Sequence, residues 1–192
     1  GTIFYIRDAI RSLNYEPQII TFTKHPFGYE KNKFIFNQNS NFLERELRKI
    51  FALRYYFLCK NIIFNYGRTI FMQEFINKES KYFYLKIMQN FYYKIMQRIE
   101  ISINKLLDNR LIFIYSGDDA RQSEYCLKNF FISPAHYLRH TSYYTESKDN
   151  IKRNNIKIIN KIAYSIYSVN PDIMNVLPKR TKFLPYPYRL ES

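Results

Sequence analysis

The chain has 192 residues, 46% of them hydrophobic and 24% charged, a balance that excludes a disordered segment and suits one domain with a core of ordinary size. No run approaches the roughly 18–20 uninterrupted apolar residues of a membrane span. Lysine and arginine outnumber the acids 30 to 16, giving a net charge of +14, which favours phosphate, anionic lipid or nucleic acid as company. The same chain is crowded with Ile, Asn, Tyr and Phe and holds four glycines and no tryptophan. That is the bias of an AT-rich coding sequence, so the charge by itself names no partner.

Residues 3–13 read as a helix, with Ile3, Ile6, Ile10 and Leu13 recurring at helical spacing. The chain opens inside this pattern without an initiator Met or a secretory signal, so a strand ahead of it is expected to be missing. Residues 18–23 are β-rich and end in the turn-like Lys24-His25-Pro26-Phe27-Gly28; residues 33–36 suit another short strand. Asn41 is placed to cap a helix running through Phe57.

Asn61-Ile62-Ile63-Phe64-Asn65 is a short apolar run closed by Tyr66-Gly67-Arg68, the pattern of a buried parallel strand. Residues 80–107 carry the longest helical pattern, with Tyr84, Met88, Phe91, Ile95, Ile99, Ile103 and Leu106 on one stripe edged by Lys81, Lys86, Lys94, Arg98 and Lys105. Two readings of that stripe stand side by side: packing on a sheet, or resting on an anionic membrane surface. A strand over 111–115 follows, then Ser116-Gly117-Asp118-Asp119-Ala120-Arg121-Gln122. A helix over 148–161, a strand over 163–168, Asn170-Pro171-Asp172 leading a short helix to Val176, and a last strand over 182–184 complete the chain.

This alternation, with no internal repeat and no hairpin dipeptide, predicts an α/β fold: a Rossmann-like, doubly wound, mostly parallel sheet in a single domain over 1–192. Ligands of such sheets gather at the carboxyl ends of the strands. The segments there are Lys24-His25, Tyr66-Gly67-Arg68, Ser116 through Gln122, Asn170-Pro171-Asp172 and Pro185-Tyr186, and the candidate binding residues among them are His25, Gly67, Arg68, Gly117, Asp118, Asp119 and Arg121. Gly67 and Gly117 permit close backbone approach. Asp118 and Asp119 suit charge-assisted hydrogen bonds to hydroxyls, while Arg68 and Arg121 supply cations. The plainer alternatives are that Asp118 or Asp119 caps the next helix, with Arg121 solvated in its first turn, and that His25 is a surface or packed residue rather than a proton relay. The Asp pair lacks further His or carboxylate company for a metal. Cys59 and Cys126 have no CxxC spacing, and two reduced thiols fit a cytoplasmic setting.

Phe64-Asn65-Tyr66-Gly67-Arg68-Thr69, followed by Ile114-Tyr115-Ser116-Gly117-Asp118-Asp119-Ala120-Arg121-Gln122, resembles the amino-terminal domain of GT-B glycosyltransferases, bacterial enzymes of the family-four type in particular. Tyr167-Ser168-Val169-Asn170-Pro171-Asp172-Ile173, Val176-Leu177-Pro178 and Phe183-Leu184-Pro185-Tyr186 follow the same rhythm, so the resemblance spans nearly the whole chain. Ser116 departs from it, standing where many relatives carry His. The resemblance implies the acceptor-side half of a two-domain enzyme, binding a sugar or lipid-linked acceptor in cell-envelope or polysaccharide synthesis. It implies no cofactor in this half. The nucleotide diphosphate sugar donor would bind a carboxyl-terminal domain outside this chain, without which the fragment would not turn over. The rival from another class is a basic nucleic-acid-binding module that uses the charge and the aromatics as a stacking platform. Against it, the cations are spread along the whole chain and no nucleic-acid signature appears.

Overall fold

The computed structural model describes residues 2–21, 33–34, 41–72, 83–138 and 144–185. Contacts divide the chain into two units, residues 1–59 with 186–192, and residues 60–185. In the first, α1 (Thr2–Ser12), α2 (Phe42–Ala52) and α3 (Arg54–Leu58) accompany a parallel pair of two-residue strands, β1 (Ile20–Thr21) and β2 (Lys33–Phe34). Asn41 caps α2 as its sequence predicts, its side chain accepting the Glu44 N–H at 2.8 Å. The helix expected to continue through Phe57 is interrupted at Leu53, which separates α2 from α3. The turn around His25 lies outside the described residues.

The second unit is built on four parallel strands in the order β3 (Asn61–Phe64), β4 (Arg110–Tyr115), β5 (Ser165–Ser168) and β6 (Lys182–Phe183). This is the expected Rossmann-like α/β architecture, and the four strands form a wing that advances in one direction. Parallel neighbours need crossovers of a dozen residues or more. Here α4 (Phe83–Leu106) lies between β3 and β4, and α5 (Ser123–Asn129), α6 (Pro134–Leu138) and α7 (Glu146–Ile162) lie between β4 and β5. A 3-10 turn over Pro171–Val176 joins β5 to β6.

β4 explains why its sequence is nearly all apolar. Flanked by strands on both sides, it buries Leu111, Phe113, Ile114 and Tyr115, as interior parallel strands do. Phe64 of β3 stacks on Phe113, with ring centroids 4.9 Å apart. α7 closes this core with Ile156 and Ile159, which meet Ile166, Ile173, Leu177 and Met72. The sequence stripe on α4 behaves differently. Tyr84, Met88, Phe91, Ile95, Ile99 and Leu106 are exposed, whereas Glu100 and Asn104 on the opposite face are buried. The sheet-packing reading of that stripe is therefore corrected: the helix turns Glu100 and Asn104 inward, and Glu100 has partners there.

Candidate functional site

Three strand ends meet at the carboxyl edge of the sheet. β3 runs into Asn65-Tyr66-Gly67, and the Arg68 N–H donates to the Tyr66 carbonyl at 2.6 Å, a tight turn that swings the Gly67 N–H toward β4. A side chain at Gly67 has no room, since a Cβ there would fall 2.1 Å from the Tyr115 ring. β4 ends in Ser116 and Gly117. The Gly117 carbonyl accepts from Ala120 and Arg121 at 3.0 and 2.8 Å, closing one compact turn. Gly117 sits at φ +137°, a conformation side-chain-bearing residues rarely adopt. From β5, Asn170 donates through Nδ2 to the Ser116 carbonyl at 2.5 Å.

Asp119 holds these pieces together. Its carboxylate accepts the N–H of Ser116 at 3.1 Å, of Gly117 at 2.8 Å and of Gly67 at 2.9 Å. Only 2% of the residue is exposed. Burial pushes its carboxyl above the usual aspartate range, while these backbone donors pull the other way. Asp119 thus neither caps α5 nor presents itself to solvent; it joins the β3 and β4 turns. Beneath it lies Tyr115, whose phenol is pushed up by burial and by the Asp119 charge, and whose Oη has no hydrogen-bond partner among the described residues.

Asp118, one residue earlier, faces the rim. Its Oδ1 accepts from Arg121 Nη1 at 2.8 Å and from the Tyr144 hydroxyl at 3.0 Å. Arg121 also donates through Nε and Nη2 to Asp172 at 3.0 and 2.8 Å. Burial pulls the guanidinium pKa down, but the Asp172 and Asp118 contacts outweigh it and the net shift is upward. The side chains of Asp118 and Asp172 remain 37% and 32% exposed, against 17% for Arg121. Arg68 stands at the end of β3 with its guanidinium over the Tyr66 ring at 5.7 Å. Of the residues read from sequence, the structure brings Gly67, Gly117, Asp118, Asp119 and Arg121 into one constellation.

Three further residues belong to it: Lys152 and Asp149, which the sequence reading did not single out, and Asp172, which it placed in a strand-end segment without a role. Lys152 on α7 is 1% exposed, donates to the Arg121 carbonyl at 2.5 Å and lies 5.0 Å from the centre of the Tyr144 ring. Burial lowers its pKa, against the pull of Asp149, Asp118 and Asp119. Asp149, one turn earlier, accepts the Ser123 N–H and hydroxyl at 2.8 and 2.5 Å and so fixes the start of α5. Asp172 sits behind Pro171 at the start of the 3-10 turn. A signal for two of these was present. The stripe through Ile159 and Ile156 extends back at helical spacing through Asn155, Lys152 and Asp149, which marks them as inward-facing.

Four carboxylates (Asp118, Asp119, Asp149, Asp172) thus face two cations (Arg121, Lys152). In a strongly basic chain this patch is locally acidic. Such a rim offers acceptors to hydroxyl groups and one guanidinium already occupied by carboxylates; it does not offer an open phosphate clamp. Among the described residues, no group of three or more His, Cys, Asp or Glu side chains is placed to hold a metal ion. A groove of about 430 Å³ lies beside α7, lined by Gln122, Arg153, Ile156, Asn160, Asn175 and Leu177 among others. It does not include the strand-end carboxylates, and its open shape gives it less chemical definition than the hydrogen-bonded rim. His136 is spent locally, its Nδ1 2.8 Å from Ser133 Oγ.

No family model, curated protein or solved structure matches the chain. Among the described residues, no helix is long and apolar enough to cross a membrane.

Proposed function

We propose that the chain is the acceptor-binding half of a glycosyltransferase that moves a sugar from a nucleotide sugar to a hydroxyl acceptor in cell-envelope or polysaccharide synthesis. The observation that carries this reading is the Asp118–Arg121–Asp172 rim, seated on turns that Asp119 joins through Gly67 and Gly117. A polyhydroxylated acceptor needs fixed carboxylate acceptors at a strand-end crevice, and a rigid base beneath them keeps its hydroxyl oriented for transfer. The motif order resembling GT-B amino-terminal domains supports the same reading. In this proposal Asp118 and Asp172 meet acceptor hydroxyls. Arg121 sets their direction, and Asp119 acts as a positioning residue. Arg68, at the end of β3, stands beside the crevice. The donor is held by a carboxyl-terminal domain, this half carries no cofactor, and the protein works in the cytoplasm at the inner face of the membrane.

The local acidity of the rim counts against the nucleic-acid alternative at this place, since phosphates would meet carboxylates there. The test uses the full-length protein with a panel of nucleoside diphosphate hexoses, reading acceptor-dependent release of the diphosphate. Asp118→Ala is expected to lower acceptor-dependent release at least tenfold. Unchanged turnover in that variant sinks the site. Absence of release with every donor, together with tight, steeply salt-dependent binding of random oligonucleotides, moves the chain to the other class.

A further inference from the structure

α4 is 24 residues long, about 36 Å at the rise of an α-helix, and among the described residues of 60–185 its outer face is an exposed one. Tyr84, Met88, Phe91, Ile95, Ile99 and Leu106 lie along it at exposures of 40% to 85%. Single exposed apolar residues are ordinary, but a continuous stripe of six on one helix is not. Beside that stripe runs a row of exposed cations, Lys94, Arg98 and Lys105, at spacings that place them on one edge. The helix has one acid, Glu100, and it is withdrawn from this face. Its carboxylate accepts from the Thr69 hydroxyl at 2.6 Å and from the Ile70 and Phe71 N–H groups at 2.9 and 3.1 Å. Apart from Ser102, the exposed side chains described on the helix are apolar or positive.

We infer that this face of α4 is a docking surface for an anionic lipid bilayer, on which the helix lies in the plane of the headgroups. Charge chooses this occupant. An apolar stripe alone would suit a second copy of the chain, but a second copy would bring its own row of lysines and arginines against the first. An anionic headgroup layer complements the row while the acyl boundary takes the aromatic and aliphatic side chains. Glu100 has a part in this, because an acid on the outer face would repel the same headgroups; its engagement with residues 69–71 also fixes which side of the helix faces out. The contact is independent of the chemistry proposed for the strand ends.

The chain contains no tryptophan, so Phe91→Trp places a single reporter at the middle of the stripe. With vesicles of phosphatidylglycerol and phosphatidylcholine, its emission is expected to shift to the blue. Pure phosphatidylcholine vesicles should leave it nearly unmoved. Each cation near an anionic surface contributes about a fivefold gain in partitioning. The triple substitution Lys94→Glu, Arg98→Glu, Lys105→Glu in the same background should therefore weaken partitioning about a hundredfold or more, and 0.5 M salt should do much of the same. These side chains are exposed, so the fold is not at stake. Emission that is unmoved by anionic vesicles overturns the proposal. So does a blue shift that needs no lipid and grows with protein concentration, which would mean a second copy covers the face. A shift produced by oligonucleotides but not by vesicles overturns it as well.

Discussion

Asp118 and Asp119 are neighbours of the same chemistry, yet they belong to different regions of the molecule. Asp119 belongs to an inner layer of buried carboxylates, with Glu100 and Asp149, each collecting backbone N–H groups from a loop that leaves a strand. Asp118 belongs to a rim with Asp172, where carboxylates meet the side chain of Arg121 and stay about one-third exposed. Removing an inner carboxylate leaves several buried donors unsatisfied. Removing Asp118 takes one acceptor from the Tyr144 hydroxyl, on a residue 5% exposed, but strands no backbone N–H and leaves Arg121 bound to Asp172. The physical difference is the cost of orphaning a partner, and it predicts that stability and ligand binding will separate cleanly between two adjacent residues.

The largest effect is expected at Asp119. Asp119→Ala strands the N–H groups of Ser116, Gly117 and Gly67 and opens a small void, for a loss of roughly 3 kcal/mol or more in urea unfolding. Asp119→Asn keeps one acceptor and removes the buried charge, so it should recover part of that loss. If Asp119→Ala unfolds at the wild-type urea midpoint, the inner layer is not a staple and the contrast with Asp118 disappears.

Next comes Gly67. Its missing Cβ is what lets the β3 turn lie on the Tyr115 ring. Gly67→Ala must move that ring, which is fully buried, at a cost of about 2 kcal/mol. Trimming the ring with Tyr115→Leu costs stability by itself, but the two changes together should cost less than their sum. A double-mutant cycle that returns simple additivity would show that the turn and the ring are not coupled.

Much of the fold was legible, and the reasons are local. Asn61-Ile62-Ile63-Phe64 and Leu111-Ile112-Phe113-Ile114-Tyr115 are apolar runs too short for helices, and they became adjacent parallel strands. Asn41 and Pro171 announced helical starts that the structure contains. α6 went unread, and α5 was anticipated only as a helix that Asp118 or Asp119 would cap, because five- and seven-residue helices carry too little periodicity to register. The stripe on α4 was read correctly as a stripe, but periodicity says which residues share a face and not which face is covered. That was decided by Glu100, whose partners lie on residues 69–71, about thirty positions away in sequence. The site was legible as a set of positions, since strand ends and glycines mark where backbone turns. Its division of labour was not. Nothing in the pair Asp118-Asp119 tells which carboxyl folds back onto N–H groups, because that depends on Gly67, more than fifty residues earlier.

At the rim the stability effect should be small and the binding effect large. Asp118→Ala leaves Arg121 its two hydrogen bonds to Asp172, and a partly exposed ion pair of this kind contributes under about 1 kcal/mol. Urea unfolding should move little. Affinity for an acceptor saccharide should fall at least tenfold, as titration calorimetry on the full-length protein would show. A variant that loses a third of its stability while binding normally would reverse the roles assigned to the two carboxylates.

The smallest effect is a pH dependence, and its sign discriminates. Asp119 has its pKa raised in the folded chain, with burial as the larger cause. A folded pKa above the unfolded value of about 4 means the native state holds the proton more tightly. The stability from this group is therefore complete below that unfolded value and is lost as pH rises through the raised folded value. Asp119→Asn cannot titrate, so the stability difference between wild type and this variant should shrink over that window as pH increases. Asp118→Asn should leave the dependence in place, because the proton concerned is bound at Asp119. If the slope instead vanishes with Asp118→Asn and survives Asp119→Asn, the coupled carboxyl is on the rim, and the inner layer loses the electrostatic distinction drawn here.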